Sequence, residues 1–413
     1  MRLLFALDEI YSGESANIRL VKQLAKNLAA KGADVRFLVN CLPEQQSDFA
    51  GLAAEFFTCT ADKASYEAVK AAREAGKGTA GQALALLAHP AAAWNIVSTV
   101  LWKKTLAEAP WRRAIEQACA HTCYDAVIAV SCPHYVMLAL GGAAISAKKI
   151  CYMLDPYWSN TSMPYAVSLK REQALYQKID GAFITDLMYA ENQACALAAY
   201  KEKMHVLPFP GISEKQDTGT ADTYTLAGKI QMVYIGNLYP AARDPEPLFR
   251  LLAALPAEFG LSIFGGGREG FAPGYFAAWQ KKLGDRLLLH GPVDAKTASD
   301  LLFRGDVLVN VGNRVANQLP SKVFEYLSAG RPILNLFCLD VCPSLPYFAR
   351  CPLALNVRAG DFSPETLQKV ENFCRAAKGR SLPYRQIEAL FPANTAEAVA
   401  AEFLRVAQEI AGA

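Results

Sequence analysis

Short, continuous apolar runs recur along this chain and alternate with segments of helical period. RLLFALD (2–8) comes first. In the next segment Ile18, Val21, Leu24 and Leu28 fall on one helical face, and DVRFLVN (34–40) follows. Later runs read DAVIAVS (125–131), KKICYML (148–154), DGAFITD (180–186) and MHVLPFP (204–210). A strand that is apolar on both sides needs cover on both faces. A parallel sheet between helical layers supplies it, so the alternation predicts α/β architecture. The pattern breaks at SEKQDTGTADTYTLAGK (213–229), a polar stretch with neither period that reads as a hinge linker. It restarts at IQMVYIG (230–236) and continues through LSIFGGG, RLLLHG, DVLVNVG and PILNLF. Two α/β units are therefore predicted, 1–212 and 230–385, with a cleft between them toward which carboxyl ends of parallel strands would point. The tail NTAEAVAAEFLRVAQEIAGA, within 386–413, reads as an amphipathic helix with Asn394 and Thr395 as candidate caps. No internal repeat of fixed period is visible.

At 413 residues the chain is natural for two domains, and 52% hydrophobic against 20% charged residues supports a large buried core. The net charge is only +3, from 42 basic and 39 acidic residues, which leaves no electrostatic footprint for nucleic acid. Met1 runs straight into a strand, so no secretion signal is expected, and no apolar window is long enough for a membrane span. The 11 cysteines lack framework spacing and are expected as reduced thiols in the cytosol. Cys119, His121 and Cys123 sit close together, but no fourth ligand follows at zinc spacing, so no metal is expected.

The segment NQLPSKVFEYLSAGRPI (317–333) carries the clearest chemical pattern. It follows the strand run DVLVNVG and is expected to open a helix with Pro320 at its first position and Gly330 at its end. Lys322 and Glu325 are three apart and share a helix face. A helix start carrying a lysine suits a phosphate, and a carboxylate one turn deeper can accept both hydroxyls of a ribose diol. Together they predict a nucleotide-diphosphate site.

This segment closely resembles the donor-site helix of GT-B glycosyltransferases, in particular the retaining family 4. That family carries two Glu separated by seven residues. Glu325 matches the second, which holds the nucleotide ribose. Asn317 stands at the first, which touches the donor sugar, and it keeps hydrogen-bonding capacity without the charge. The resemblance is most specific over 231–337 and implies two Rossmann-like domains with parallel sheets facing a central cleft. The C-terminal unit would hold a nucleotide-diphosphate sugar as substrate, the N-terminal unit the acceptor, and the final helix would cross back to the first unit. It also implies that Leu319, Pro320 and Ser321 line the donor site. In GNLYPAARDP (236–245), Gly236 and Asn237 match the family's glycine-rich turn and Arg243 its diphosphate-binding base, while Asp244 replaces a frequent second base. Gly265 and Gly266, in GGGREG, are expected to line the base or phosphate end. A dinucleotide fingerprint there is disfavoured by Pro273 and Gly274 and by the lack of an acid after the next strand. Gly13 falls in the first loop, beside Ser12, where backbone N–H groups would approach the phosphates.

His134, just past a strand end, matches a histidine the family places near the donor sugar, and a capping or structural role is equally open. With Arg243 and Lys322 it completes the catalytic candidates. Asp155 and Trp158 are expected on the acceptor side. Residues 84–118 combine Trp94, Trp102, Lys103, Lys104, Trp111, Arg112 and Arg113. Two readings stay open for them: an amphipathic helix pair packed on the sheet, or a segment lying on the inner face of a membrane and admitting a lipid-linked acceptor. The functional expectation is a retaining transferase acting on a glycan or lipid-linked acceptor, without a metal or cofactor, in polysaccharide synthesis. The alternatives are a non-catalytic GT-B subunit that binds nucleotide or glycan beside a partner transferase, and a sugar-nucleotide epimerase.

Overall fold

The computed structural model describes residues 1–10, 16–60, 107–131, 133–159, 165–240 and 242–412. The chain divides into two compact units, Met1–Pro210 with Ala396–Ala413, and Gly211–Thr395.

In the first unit the described strands are β1 (Arg2–Asp8), β2 (Asp34–Asn40), β3 (Ala54–Phe57), β4 (Ala126–Val130), β5 (Lys148–Tyr152), β6 (Gly181–Ile184) and β7 (Met204–Val206). They form one parallel sheet in the order β3-β2-β1-β4-β5-β6-β7. Helices α1 (Ala16–Ala30), α2 (Glu108–His121), α3 (Tyr135–Gly142), α4 (Tyr165–Tyr176) and α5 (Asp186–Gln193) connect them. Central strands are apolar on both faces because both are covered. Leu4, Val127, Cys151 and Ala182 pack under Trp111, Val136 and Tyr176 from the helices.

The second unit holds β8 (Ile230–Ile235), β9 (Phe259–Phe264), β10 (Leu287–Gly291), β11 (Val307–Val311), β12 (Ile333–Phe337) and β13 (Ala354–Arg358), parallel in the order β10-β9-β8-β11-β12-β13. Its helices are α6 (Glu246–Ala254), α7 (Tyr275–Leu283), α8 (Ala295–Arg304), α9 (Lys322–Ser328), α10 (Leu345–Arg350), α11 (Pro364–Ala377) and α12 (Tyr384–Leu390). One face carries a buried amide ladder: Asn310 donates to Asn335 and Asn335 to Asn356, each at 2.7 Å, across β11, β12 and β13. In-register asparagines satisfy one another there, which is what a buried polar side chain requires. In both sheets the strand order reverses beside the first strand, at β1/β4 and β8/β11. That reversal opens a crevice at the carboxyl ends, where ligands of open α/β sheets bind.

The last helix, α13 (Ala396–Ala411), belongs to the first unit and starts later than the expected 386. Its Phe403 stacks on Phe183 with ring centres 4.2 Å apart, lies over Phe5 at 5.8 Å, and meets Tyr152 edge-on.

Three features differ from the sequence expectations. The strands β3 and β13 were not foreseen; they are edge strands, only partly buried, without the continuous apolar run of a central strand. Residues 213–229, read as a hinge linker, are folded onto the second unit. Thr218 N–H, Thr218 Oγ1 and Thr220 N–H donate to the Asp300 carboxylate at 3.1, 2.6 and 2.8 Å, and Ala227 N–H donates to Ser262 Oγ at 2.9 Å. Small polar residues that look like a flexible connector supply donors to a buried acid on α8. Finally, α9 starts at Lys322 with Ser321 as its N-cap, so Pro320 precedes the cap instead of occupying the first helical position. Gly330, at φ 63°, does end that helix in the left-handed conformation.

Burial pushes the Glu172 carboxyl from its ordinary 4.5 up to about 8, a nearby Glu191 adding to the shift and the Trp158 N–H opposing it. Glu172 Oε2 accepts that N–H at 3.0 Å, while Oε1 is buried and finds no partner among the described residues. Between pH 4.5 and about 8 the folded chain keeps a proton that the unfolded chain has released. Stability therefore falls as pH rises through that window and levels off above it. Glu172→Gln, neutral throughout, should match the native protein at the acid end and exceed it increasingly toward pH 8. Urea unfolding across the window checks this; a pH-independent difference would contradict it.

Candidate functional site

The crevice of the second unit is built from loops after β8, β9 and β11 and from helix α9. The first two loops interlock through glycine. Gly236 N–H donates to the Phe264 carbonyl at 2.8 Å, and Leu238 N–H to the Gly266 carbonyl at 3.0 Å. A Cβ on Gly265, at φ 150°, would lie 1.9 Å from the Gly236 carbonyl oxygen, so only glycine lets these backbones meet. Asn237 Oδ1 then accepts the Gly266 N–H at 2.9 Å, and its amide donates to the Tyr239 hydroxyl at 3.2 Å. Gly236, Asn237, Gly265 and Gly266 thus form one surface, as a shared site requires.

Arg243 returns from the same loop: its N–H donates to the Tyr239 carbonyl at 2.7 Å, and its charge acts on the Tyr234 hydroxyl, which donates to the Asn237 carbonyl at 3.0 Å. Burial pushes Tyr234 up to about 12, against the pull of Arg243. Helix α9 is pinned to the same place by Tyr326. Its fully buried hydroxyl accepts the Ile235 N–H at 2.9 Å and lies 3.3 Å from the Ile235 carbonyl. The charges of Glu325 and Arg243 both act on that hydroxyl, with opposite sign. Residues eighty positions apart in sequence are thereby brought around one strand end. On α9, Lys322 Nζ pairs with Glu325 Oε2 at 2.6 Å, with both side chains about three-quarters buried. Asn317, Leu319 and Ser321 are half-buried on the approach to the helix, and Pro320 is buried.

Two residues here carried no sequence signal. Asn313, just past β11, is buried, donates to Gln318 Oε1 at 3.1 Å, and leaves Oδ1 without a partner among the described residues. Arg314 donates from Nη2 to Asp244 Oδ2 at 3.0 Å. A loop asparagine and a loop arginine are common surface residues, and only their long-range partners distinguish them.

In the first unit, His134 caps α3 beyond β4 and faces the Tyr157 ring at 5.0 Å. Burial holds its imidazole below the ordinary value, opposed by the Asp155 charge and by hydrogen bonds to the backbone at Asp155 and Pro156. It is therefore neutral near pH 7, and its buried Nε2 has no partner among the described residues. His134 and Asp155 thus lie together at the carboxyl ends of β4 and β5, and Asp155 also accepts from Asn17 Nδ2 at 3.2 Å. Trp158, expected on the acceptor side, is instead a core residue. It is buried, its indole N–H donates to Asn192 Oδ1 at 2.9 Å, and its ring meets Tyr165 edge-on. An indole with a satisfied N–H inside a cluster has no surface left for a substrate. Asp8, at the end of β1, was missed: it is buried and accepts from Asn40, Trp111 Nε1 and the Tyr135 hydroxyl at 2.7, 3.0 and 2.8 Å. An acid ending a buried strand was its only sequence signal. Ser12 and Gly13 lie outside the described residues, as do Trp94, Trp102, Lys103 and Lys104 of the 84–118 stretch. Of the rest, Trp111 is fully buried in α2. Among the described residues no His, Cys, Asp and Glu side chains gather as a metal site, and no helix is long and apolar enough to cross a membrane.

These two doubly wound units are those of the GT-B fold of glycosyltransferases, and solved structures match over nearly the whole chain. The lipopolysaccharide outer core galactosyltransferase WaaB, in its apo form, shares 12% identity over 98% of each chain with a TM-score of 0.58. HepE of Anabaena, in complex with UDP, shares 13% identity over 100% of this chain and 99% of its own, at 0.58. Sucrose-phosphate synthase from Thermosynechococcus elongatus shares 14% over 98% of each, at 0.65. No family model matches the sequence, and no curated protein matches it.

Tyr326→Phe removes the acceptor of a buried backbone N–H. The expected cost is roughly 1–3 kcal/mol of stability, together with weaker binding of any ligand that uses both Arg243 and Glu325. Chemical denaturation of the variant checks this, and a change below a few tenths of a kcal/mol would show that Tyr326 does not secure the helix.

Proposed function

We propose that this protein is a glycosyltransferase that moves a sugar from a nucleotide-diphosphate donor to a glycan or lipid-linked acceptor with retention of configuration. The single observation that carries the reading is the convergence of Arg243, Lys322 and Glu325 on the carboxyl end of β8, held there by the Tyr326–Ile235 contact. Two cations and one acid at a strand reversal suit a ligand with a diphosphate at one end and a diol at the other. HepE, a neighbour in fold, was solved with UDP and with UDP-glucose, which agrees with this ligand class.

In this reading Arg243 and Lys322 neutralise the diphosphate, and Glu325 turns from Lys322 to the ribose hydroxyls. An acceptor hydroxyl oxygen attacks the anomeric carbon on the face from which the diphosphate leaves. Its proton passes to a phosphate oxygen, and the products are the glycoside and the free nucleoside diphosphate. The protein's work is positioning and stabilisation of the departing anion. In the same reading His134, neutral and beside Asp155, hydrogen-bonds the donor sugar. Gly13, Gly236, Asn237, Gly265, Gly266, Asn317, Leu319, Pro320 and Ser321 remain donor-side candidates, and Asp155 an acceptor-side one.

A non-catalytic subunit is the second reading, favoured by the uncharged Asn317. Single-turnover assays with labelled nucleotide sugars separate the two: binding without transfer supports the subunit.

Lys322→Ala should weaken a nucleoside diphosphate by roughly 1.5–3 kcal/mol, the range for charge-assisted bonds, and leave the nucleoside nearly untouched. Equal losses for UDP and uridine, or for GDP and guanosine, would remove Lys322 from the phosphate.

Glu325→Gln leaves one acceptor oxygen where the diol needs two. A 2′,3′-dideoxy nucleotide should then bind native and variant proteins about equally weakly, so the two changes do not add. Calorimetry over the full cycle decides the matter, and fully additive losses would defeat the ribose assignment.

A further inference from the structure

We infer that Arg314 is a second guanidinium on the diphosphate, supplied by the loop after β11; this rests on the nucleotide-diphosphate reading above. Two bonds staple Arg314 to the loop that carries Arg243, one on either side of it. Its backbone N–H donates to the Ala242 carbonyl at 2.9 Å, and its Nη2 donates to Asp244 Oδ2 at 3.0 Å. Asp244 is itself fixed, since its Oδ1 accepts the Glu246 N–H at 3.0 Å. Arg314 and Arg243 therefore stand on the two loops that flank the β8/β11 reversal.

Charge arithmetic supports the same assignment. An acid at 244, one residue from Arg243 in sequence, would repel a diphosphate if left alone. Arg314 cancels that charge and adds donors: a guanidinium carries five N–H groups in a fixed fork, and the hydrogen bond to Asp244 comes from one nitrogen, Nη2. The side chain is 46% exposed and its partner 24%, so the pair is wetted and contributes little to folding. A costly buried staple is not what this pair provides; an oriented, solvent-facing cation is. Cys338, just past β12, meets the loop that carries Arg314: its Sγ donates to the Gly312 and Asn313 carbonyls at 3.6 and 3.5 Å, which sets that loop at the carboxyl ends of the strands.

The test is calorimetric titration of the full chain with UDP, GDP, ADP, CDP and dTDP, followed by the parent nucleoside of the tightest binder. Arg314→Gln should weaken the diphosphate about tenfold and leave the nucleoside unchanged, with the unfolding midpoint preserved. Arg314→Lys keeps the charge without the fork and should lose about threefold. If Arg314→Gln binds the diphosphate as tightly as the native protein while Lys322→Ala does not, Arg314 is overturned and the nucleotide reading survives. Equal losses for diphosphate and nucleoside with a lowered midpoint overturn it too, since they mark a loop staple. If the native protein binds none of the five, the nucleotide reading itself falls.

Discussion

The hydrogen bond from the Ile235 N–H to the Tyr326 hydroxyl organises the second unit's crevice. A backbone donor at the last residue of a buried strand has no sheet partner to spare and no water to turn to, so it must be met by a side chain. Tyr326 meets it from a helix that enters 91 positions later. Once that bond is made, α9 cannot slide along β8, and Lys322 and Glu325, on the same short helix, are fixed beside Arg243. A seven-residue helix has little stability of its own. Its position comes from Tyr326 and from Phe324, which packs so closely on Gly211 that a Cβ there would meet the ring at 2.5 Å.

The charges of the crevice come in couples. Lys322 is bound to Glu325 and Arg314 to Asp244, while the charge of Arg243 acts on the Tyr234 hydroxyl. Pairing keeps each partly buried charge solvated in the ligand-free state, and partial exposure keeps each bond weak enough to exchange. The interlocked glycine loops form the other wall: at Gly265 the backbones of two loops touch, and a Cβ there would lie 1.9 Å from the Gly236 carbonyl oxygen.

Most of the architecture was legible in the sequence, because central parallel strands are buried on both faces and advertise themselves as apolar runs. The runs at 2–8 and 34–40 coincide with β1 and β2, and most others were only a residue or two too long. What failed was what has no such run. Ala54–Phe57 and Ala354–Arg358 lie at sheet edges, half wetted, and lack the long apolar run of a central strand. The 213–229 stretch reads as linker because its polarity is spent on Asp300, a partner 80 residues away. Trp158 misled in the opposite sense: an aromatic after a strand end looks like a ligand wall until Asn192 is seen to hold its N–H.

The sequence by itself determined the class of fold, the two-unit division and the identity of a Lys–Glu pair on one helix face, since all three follow from local period and spacing. Only the tertiary structure decided which other residues join that pair. Arg314 and Asp244 are 70 positions apart, Tyr326 and Ile235 91, and Asp8 lies 103 and 127 positions from Trp111 and Tyr135. Such contacts depend on strand order, and strand order is set by how helices cover the sheet and not by any stretch of sequence short enough to read.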